Sequence, residues 1–447
     1  MKTAAQRLLS VMMAFTLMLT LAACGSGNNA EVKEEGSQSA SSGNKAETKE
    51  PAHEPVTLSY MAVTSQLNYG GIKDLIANWE KQTGNKVDIQ AIQDDQYDNL
   101  VKAKLAGGGD IDVFYGQYQK YDVPNQLLEI SGEGFESRLN DVALQSMKYS
   151  DGKIYAFPSP APLGTWGVFY NKKVFNDLGL TVPKTMDDLN KVLAAIKDKG
   201  INPLYFSAKD GWTMLQHRNA VNGIASGADP AVWDKLNKNE VQWKDIPEFV
   251  YQYKQVEDWV KKGYINKDLA TATYDQQQQA LVDGKTAMVV HGSFIEAELL
   301  KKKPDADIGF FPLPNQDGSQ KIALSGATQI FIAKNSKHPE EAKALLRYLS
   351  DKEQVQSYLE KSPGISAFKD VDVADKLSPA AKEIQELVNQ GSIARHGDDA
   401  YVVPMPYDDL VAAYLELLIG RISADDFVKK HGDMYVKNGK IAKIPGF

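Results

Sequence analysis

"VTLSYMAVTSQLNYGGIKDLIANWEKQTGNKVDIQAI", Val56 to Ile92, carries two periodicities in alternation. Its first eight residues alternate apolar and polar, the signature of a half-buried strand. Ile72, Leu75, Ile76 and Trp79 then recur on one face of a helix, and Gly84 supplies the stop. "KVDIQAI" (Lys86–Ile92) returns to strand periodicity. "YDNLVKAKLAGGG" (Tyr97–Gly109) reads as a second helix ended by glycines, and "IDVFYG" (Ile111–Gly116) as a third strand. Strand and helix in alternation imply right-handed crossovers and an α/β fold built on a largely parallel sheet.

The next stretch repeats this logic. "KIYAFP" and "GTWGVFYN" read as strands, and "KTMDDLNKVLAAIKDKG" (Lys184–Gly200) as a helix. In that helix Thr185 is the expected N-cap, Asp188 takes the capping-box position, and Leu189, Val192, Leu193 and Ile196 point inward. "NPLYFSA", "TAMVVHGS", "DIGFFPLP" and "TQIFIAKN" are expected strands, with helices between and after them and Trp233 and Trp243 as packing residues. The last third, "PAAKEIQELVNQG" and "YDDLVAAYLELLIG" onward, is expected to be helical.

Outward toward the N-terminus the character changes. Lys2 and Arg7 precede the apolar run "LLSVMMAFTLMLTLAA", which reads as a secretory signal over residues 1–23. Cys24, the only cysteine in 447 residues, follows Leu21-Ala22-Ala23. That pattern resembles the lipobox of bacterial lipoproteins, which implies cleavage before Cys24 and lipidation of its thiol; an ordinary leader with an accidental cysteine is the alternative. Each buried methylene of an acyl chain contributes about 0.8 kcal/mol, so two or more chains anchor stably. Residues 24–55 hold almost no apolar side chain beyond alanine and are expected to be a disordered tether.

Composition narrows the function. The chain has 50 basic and 58 acidic residues, and without the leader its charge is about −10. Nucleic-acid binding takes a clustered basic face, so that class is not expected. One cysteine excludes an internal disulfide and any multi-thiolate metal site, and the six histidines are scattered. There is no Gly-x-Ser-x-Gly elbow and no phosphate loop. "SGEGFES" lacks the third glycine of a dinucleotide fingerprint. No cofactor, metal or catalytic group is expected.

"IYAFPSPAPLGTWGVFYNKKVFNDLGLTVPKTMDDL" resembles the extracellular solute-binding proteins of ABC importers, in their carbohydrate-binding, maltodextrin-binding type. "IANWEKQTGNKVDI", "DIDVFYG", "GKTAMVVHGSF" and "GFFPLPN…GATQIFIAKNSKHPEEAKALLRYL" resemble further segments of that family, in its order. The resemblance covers nearly everything after the tether. It implies a two-lobed, type II periplasmic-binding-protein fold with a ligand cleft between mixed, mostly parallel sheets flanked by helices. One lobe is expected from residues 56–158 plus 312–365, the other from 159–311 plus 366–447. The implied partners are a carbohydrate, the transmembrane subunits of an ABC permease, and the outer face of the cell membrane through the lipid anchor. The protein itself is expected to be a monomer.

A sugar presents an apolar ring face and a rim of hydroxyls, so it is met by aromatic platforms and planar polar side chains. Ligands of open α/β sheets sit beyond the carboxyl ends of strands. Gln66, Asn68 and Tyr69 follow the first strand, and Gln117 and Tyr118 follow "DVFYG". "FSAKDGWTM" resembles the family's segment with a carboxylate two residues before a stacking aromatic, which falls on Asp210 and Trp212. His217, Trp166, His291, Phe294 and Tyr407 complete the expected substrate-binding set. Phe294 stands where the family often has tryptophan, and Tyr407 falls on its late stacking aromatic. Each has a plain structural alternative: His217 and His291 as satisfied structural histidines, Trp166 as hinge packing, the polar groups as solvated turns. A polyamine, peptide or metal-chelate receptor on the same scaffold is the alternative ligand class. A surface enzyme cleaving polysaccharide, with two carboxylates about 5 to 10 Å apart across a cleft, is the alternative function.

Overall fold

The computed structural model describes residues 54–447 except 65, 69, 109, 399 and 404, and the side chains of Asn68, Asp94 and Asp95 are also outside the description. The expected signal, Cys24 and the expected tether before Glu54 lie outside the described residues, as does Tyr69.

Two sheets organise the described chain. The first runs β2-β1-β3-β10-β4, with β1 Thr57–Val63, β2 Lys86–Ile92, β3 Val113–Gly116, β4 Ala156–Pro158 and β10 Gln329–Ile332. Strand β1 is parallel to both β2 and β3, with Tyr60 opposite Ile89 and Val113. These are the pairs joined through helices Ile72–Thr83 and Asp94–Ala106, as the alternating pattern requires. Strand β10 returns from far along the chain and runs antiparallel to β3 and β4.

The second sheet runs β11-β9-β5-β7-β6, with β8 also on β5. Its strands are β5 Thr165–Asn171, β6 Asn202–Leu204, β7 Thr286–Gly292, β8 Ile308–Phe311, β9 Ile322–Leu324 and β11 Ile393–Arg395. β6 is parallel to β7 and β11 to β9, whereas β5 runs against β7, β8 and β9. Both sheets are therefore mixed. β-α-β crossovers give the parallel pairs, and strands that enter from distant sequence give the antiparallel ones. Strand β9 lies inside the 312–365 stretch but pairs within the second sheet.

Every residue of β5 and β7 is buried, the near-continuous apolar pattern of a strand covered on both faces. Alternate side chains serve different cores. Phe169 and Val289 join a cluster that extends to Tyr60, Phe114 and Ile330 of the first sheet. Val168, Tyr170, Met288 and Val290 join a second cluster with Trp233, Trp243 and Tyr253. Helix Ile72–Thr83 buries Ile72, Leu75, Ile76 and Trp79, and Gly84 at φ 79° caps its end with an N–H to the Glu80 carbonyl. Helix Met186–Asp198 buries Leu189, Val192, Leu193 and Ile196, and Thr185 accepts from the Asp188 N–H. Burying each of these large side chains contributes roughly 1.5–3 kcal/mol.

Candidate functional site

The parallel register of β6 and β7, Leu204 opposite Met288, brings the carboxyl ends of both strands to one edge. Strand β5 runs the other way, so its beginning lies at the same edge, with Trp166 opposite Gly292. That topology gathers the residues after β6, the end of β7 and the start of β5, although they are far apart in sequence.

Beyond β6, Asp210 precedes the short 3-10 turn Gly211–Thr213 that holds Trp212. The Asp210 carboxylate accepts the Tyr274 backbone N–H at 2.6 Å. This bond fixes the start of helix Tyr274–Val282, which a Thr273–Gln276 capping box already closes. The Trp212 ring then meets Tyr274 edge-on at 4.7 Å, His291 at 5.7 Å and Phe294 at 6.0 Å. Tyr274 and His291 stack at 5.3 Å with only 12° between their planes. Such ring pairs contribute about 0.5–1.5 kcal/mol beyond area burial.

Trp166 belongs to the same assembly. Its indole N–H donates to Gln216 Oε1 at 2.8 Å, and Gln216 Nε2 donates to the Trp212 carbonyl at 3.1 Å. One face of Trp166 is covered by His396, 4.0 Å away and nearly coplanar at 7°. Gly292 sits where the aromatics converge. A Cβ there would lie 2.4 Å from the Phe294 ring and 2.9 Å from Trp166 Nε1, so any larger residue must displace the Phe294 ring.

Tyr407 opens helix Tyr407–Leu418, and Val411, one turn later on the same face, packs on Gly211. A Cβ on Gly211 would stand 2.5 Å from Val411 Cγ1, which explains a glycine directly before Trp212. Tyr407 is thereby set beside Asp210. Burial, then the Asp408 and Asp210 carboxylates, push its hydroxyl up to about 12. Tyr407 is 48% exposed and Phe294 37%, so both present ring surface to solvent at this edge.

His291 is fully buried, and burial pushes its imidazole down to about 4. Its Nδ1 lies 3.1 Å from the Gly292 carbonyl, which assigns the proton to Nδ1. Nε2 is left as an acceptor that finds no hydrogen-bond partner among the described residues. The arrangement offers flat apolar surface with a carboxylate and a glutamine at its margin. Among the described residues, no group of three or more histidine, cysteine, aspartate or glutamate side chains is placed to hold a metal ion.

The remaining expected residues lie elsewhere. His217 is fully buried, pairs with the Tyr414 hydroxyl at 2.8 Å and packs against Tyr253 and Trp259. Burial pushes it down to about 3. Tyr118 is likewise committed to a core. Its hydroxyl donates to the Met147 carbonyl at 2.7 Å and accepts the Tyr155 N–H at 3.1 Å, while its ring packs on Phe331. Gln117 is exposed beyond β3. Gln66 lies beyond β1 with Oε1 buried and unpartnered among the described residues. Three members of the assembly escape the sequence reading: Gln216, Tyr274 and His396.

The profile of the bacterial extracellular solute-binding protein family matches residues 64–356. The chain is 24% identical to the multiple sugar-binding protein of Streptococcus mutans, over 73% of this chain and 78% of that one. It is 23% identical to the melibiose/raffinose/stachyose-binding protein of Bacillus subtilis, over 65% of this chain and 69% of that one. Among solved structures, a chitin oligosaccharide binding protein superposes with a TM-score of 0.74 at 23% identity, covering 87% of this chain and all of the other. The raffinose complex of the binding protein RafE gives 0.71 at 20% identity, covering 85% and 98%. The fold is thus the two-lobed α/β architecture of these binding proteins. Their function is binding rather than catalysis, which removes the polysaccharide-cleaving alternative. The chain belongs to the bacterial extracellular solute-binding protein family.

Proposed function

We propose that this protein captures a carbohydrate, an oligosaccharide, by closing two lobes over it and delivers it to an ABC permease. The observation that carries the reading is the ring cluster of Trp212, Tyr274, His291 and Phe294, bordered by Asp210 and Tyr407. Flat rings match the apolar faces of sugars, and the marginal carboxylate and amide match hydroxyls. Relatives named for raffinose, stachyose and melibiose add support. The proposed lobes are residues 56–158 plus 312–365 and 159–311 plus 366–447, acting in a monomer. Gln66, Asn68, Tyr69 and Gln117 are the proposed contribution of the first lobe. A ligand that touches both lobes favours the closed form, so capture is a population shift.

A polyamine would need a concentrated acidic slot. Asp210 already accepts a backbone N–H, so the neutral sugar is preferred. Melting temperatures with melibiose, raffinose, stachyose, chitin oligosaccharides and xylan oligosaccharides test the reading. At least one oligosaccharide is expected to raise the midpoint by mass action. A response to polyamines or peptides and to no saccharide overturns it.

We further propose that Cys24 carries the lipid that holds the protein at the outer face of the membrane. Mass spectrometry of the membrane-derived N-terminus is expected to find diacylglyceryl-modified Cys24, with Cys24→Ala released to the medium. A mature chain that begins elsewhere rejects the anchor.

A further inference from the structure

Helix Ile295–Lys302 begins directly after Phe294 and carries Glu296 in its first turn. Glu296 is buried, only 5% exposed, and among the described residues its one side-chain hydrogen bond is with the Ser378 hydroxyl. Ser378 is the N-cap of helix Pro379–Asn389, where the same oxygen accepts the Ala381 N–H at 3.0 Å. Ser378 also ends a passage between the two proposed lobes. Before it, Asn140 donates its N–H to the Ala367 carbonyl at 2.9 Å, and the Lys369 N–H reaches the Arg138 carbonyl at 2.7 Å. Arg138 Nε donates to Asp370 at 2.8 Å, so 366–370 is still fastened to the first proposed lobe. After it, Glu383 accepts the Phe310 N–H of β8 at 2.5 Å and pairs with Lys172 at 2.9 Å, in the second lobe. The chain therefore crosses through 371–377, a few residues past the boundary proposed at 365, and Glu296 is where it lands.

A buried carboxyl with one hydroxyl partner is tolerated when neutral and costly when charged. The charged groups around it do not relieve that cost. On its own helix, Lys301 pairs with Glu298 at 2.8 Å, and Lys302 pairs with Asp275 of helix Tyr274–Val282. From helix Pro379–Asn389 the charge that bears on it is the like charge of Glu383, and Lys172 is already engaged there. In the crossing, Asp372, Asp375 and Lys376 are exposed. Burial pushes the Glu296 carboxyl up to about 7; the Ser378 hydroxyl opposes this and Glu383 adds to it.

We infer that this seat is a proton switch on capture: the lobes close over a saccharide with Glu296 protonated, and its ionisation loosens the landing of the crossing and weakens binding. The inference rests on the sugar reading of the ring cluster. A solute on the exposed ring of Phe294 takes water from the turn that leads into Glu296. Closure moves the crossing that ends on Ser378. Both favour the uncharged carboxyl, so the bound state holds a proton, taken from solvent, more tightly than the free one. A group raised on binding contributes fully below its free value and loses that contribution as pH rises through its bound value. The window therefore lies at about pH 7 and above.

The test is calorimetry at pH 6 and pH 8 with the saccharide found by the melting screen, in two buffers of different ionisation enthalpy. Binding about threefold or more tighter at pH 6 is expected, with net proton uptake near pH 7. Glu296→Gln is expected to bind at both values as wild type does at pH 6, without proton uptake. If that variant fails to fold, Ser378→Ala, which removes the opposing hydroxyl, is expected to move the pH profile upward. An affinity independent of pH, tighter binding at pH 8, or a profile that both variants leave unchanged overturns the proposal. Infrared spectra of the unliganded protein test the seat without any saccharide. A protonated carboxyl band at pH 6 that is missing in Glu296→Gln is expected, and its absence from wild type also overturns the proposal. Failure of every saccharide to raise the melting midpoint refutes the sugar reading and the switch together, whereas binding without pH dependence refutes the switch alone.

Discussion

Trp166 donates its indole N–H to Gln216 Oε1 at 2.8 Å, and the same amide reaches on to the Trp212 carbonyl at 3.1 Å. One buried side chain therefore sets the spacing of two large aromatic surfaces, one from strand β5 and one from the 3-10 turn Gly211–Thr213. Gln216→Leu keeps the volume and removes both bonds. Leaving two buried polar groups unpaired is expected to cost about 1–3 kcal/mol of stability. Calorimetry with the saccharide found by the melting screen is expected to show at least tenfold weaker binding. Unchanged affinity would show that the bridge is only structural.

Trp212 is the hub of the ring cluster, touching Tyr274, His291 and Phe294. Trp212→Ala removes the platform itself and is expected to weaken saccharide binding by at least tenfold, while Trp212→Phe retains part of it. Equal affinity for wild type and Trp212→Ala removes Trp212 from the site.

Gly292 is the narrowest point of the cluster. Gly292→Ala drives a methyl group to 2.4 Å from the Phe294 ring and 2.9 Å from Trp166 Nε1. The flexible, exposed Phe294 gives way first, so the fold survives with a loss of about 1–3 kcal/mol. Binding is expected to fall by more than the stability loss alone explains. A crystal structure of the variant with Phe294 undisturbed contradicts the packing argument.

The pH dependence follows from three buried groups. Burial holds His217 at about 3 and His291 at about 4, below the 6.5 of free imidazole. Above pH 6.5 both states are neutral and their stability contribution is complete. As pH falls below 6.5 the unfolded chain takes up protons first, and each histidine costs up to about 1.4 kcal/mol per pH unit. Glu296 acts in the opposite sense: burial pushes it up to about 7 from 4.5, against the Ser378 hydroxyl that hydrogen-bonds it. Its contribution is complete below pH 4.5 and is lost as pH rises toward 7. Glu296→Gln is therefore expected to be more stable than wild type at pH 7.5 and no more stable at pH 4.5. Urea melts at both values check this, and a difference independent of pH refutes it.

Long elements were legible because their periodicity is strong. Helix Ile72–Thr83 buries the four residues its spacing picks out, and Thr185 caps helix Met186–Asp198 as expected. Strands β9 and β11 were not legible. Three residues each, they carry no alternation, and their identity comes from partners distant in sequence. Asp210, Trp212 and Phe294 were singled out through the resemblance of their segments to the family, and His291 through its place near the end of an expected strand. Tyr274 and Gln216 carry no local signal that sets them apart from other helical residues. The burial of Gln216 follows from the two tryptophans it joins, which no local pattern encodes.

His217 shows the same difficulty from the other side. It adjoins Gln216, yet one residue along a helix is a turn of about 100°. Gln216 therefore faces the rings at the sheet edge, while His217 faces Tyr414, Tyr253 and Trp259 in the core. His217→Ala leaves a cavity and an unpaired Tyr414 hydroxyl, so a stability loss of about 2–4 kcal/mol is expected. Saccharide affinity, measured well below the melting midpoint, is expected to stay within twofold of wild type. The paired variant Gln216→Leu is expected to do the reverse, losing more binding than stability. If His217→Ala instead lost affinity while melting like wild type, His217 would return to the ligand site and the orientation of this helix relative to the solute would need revision.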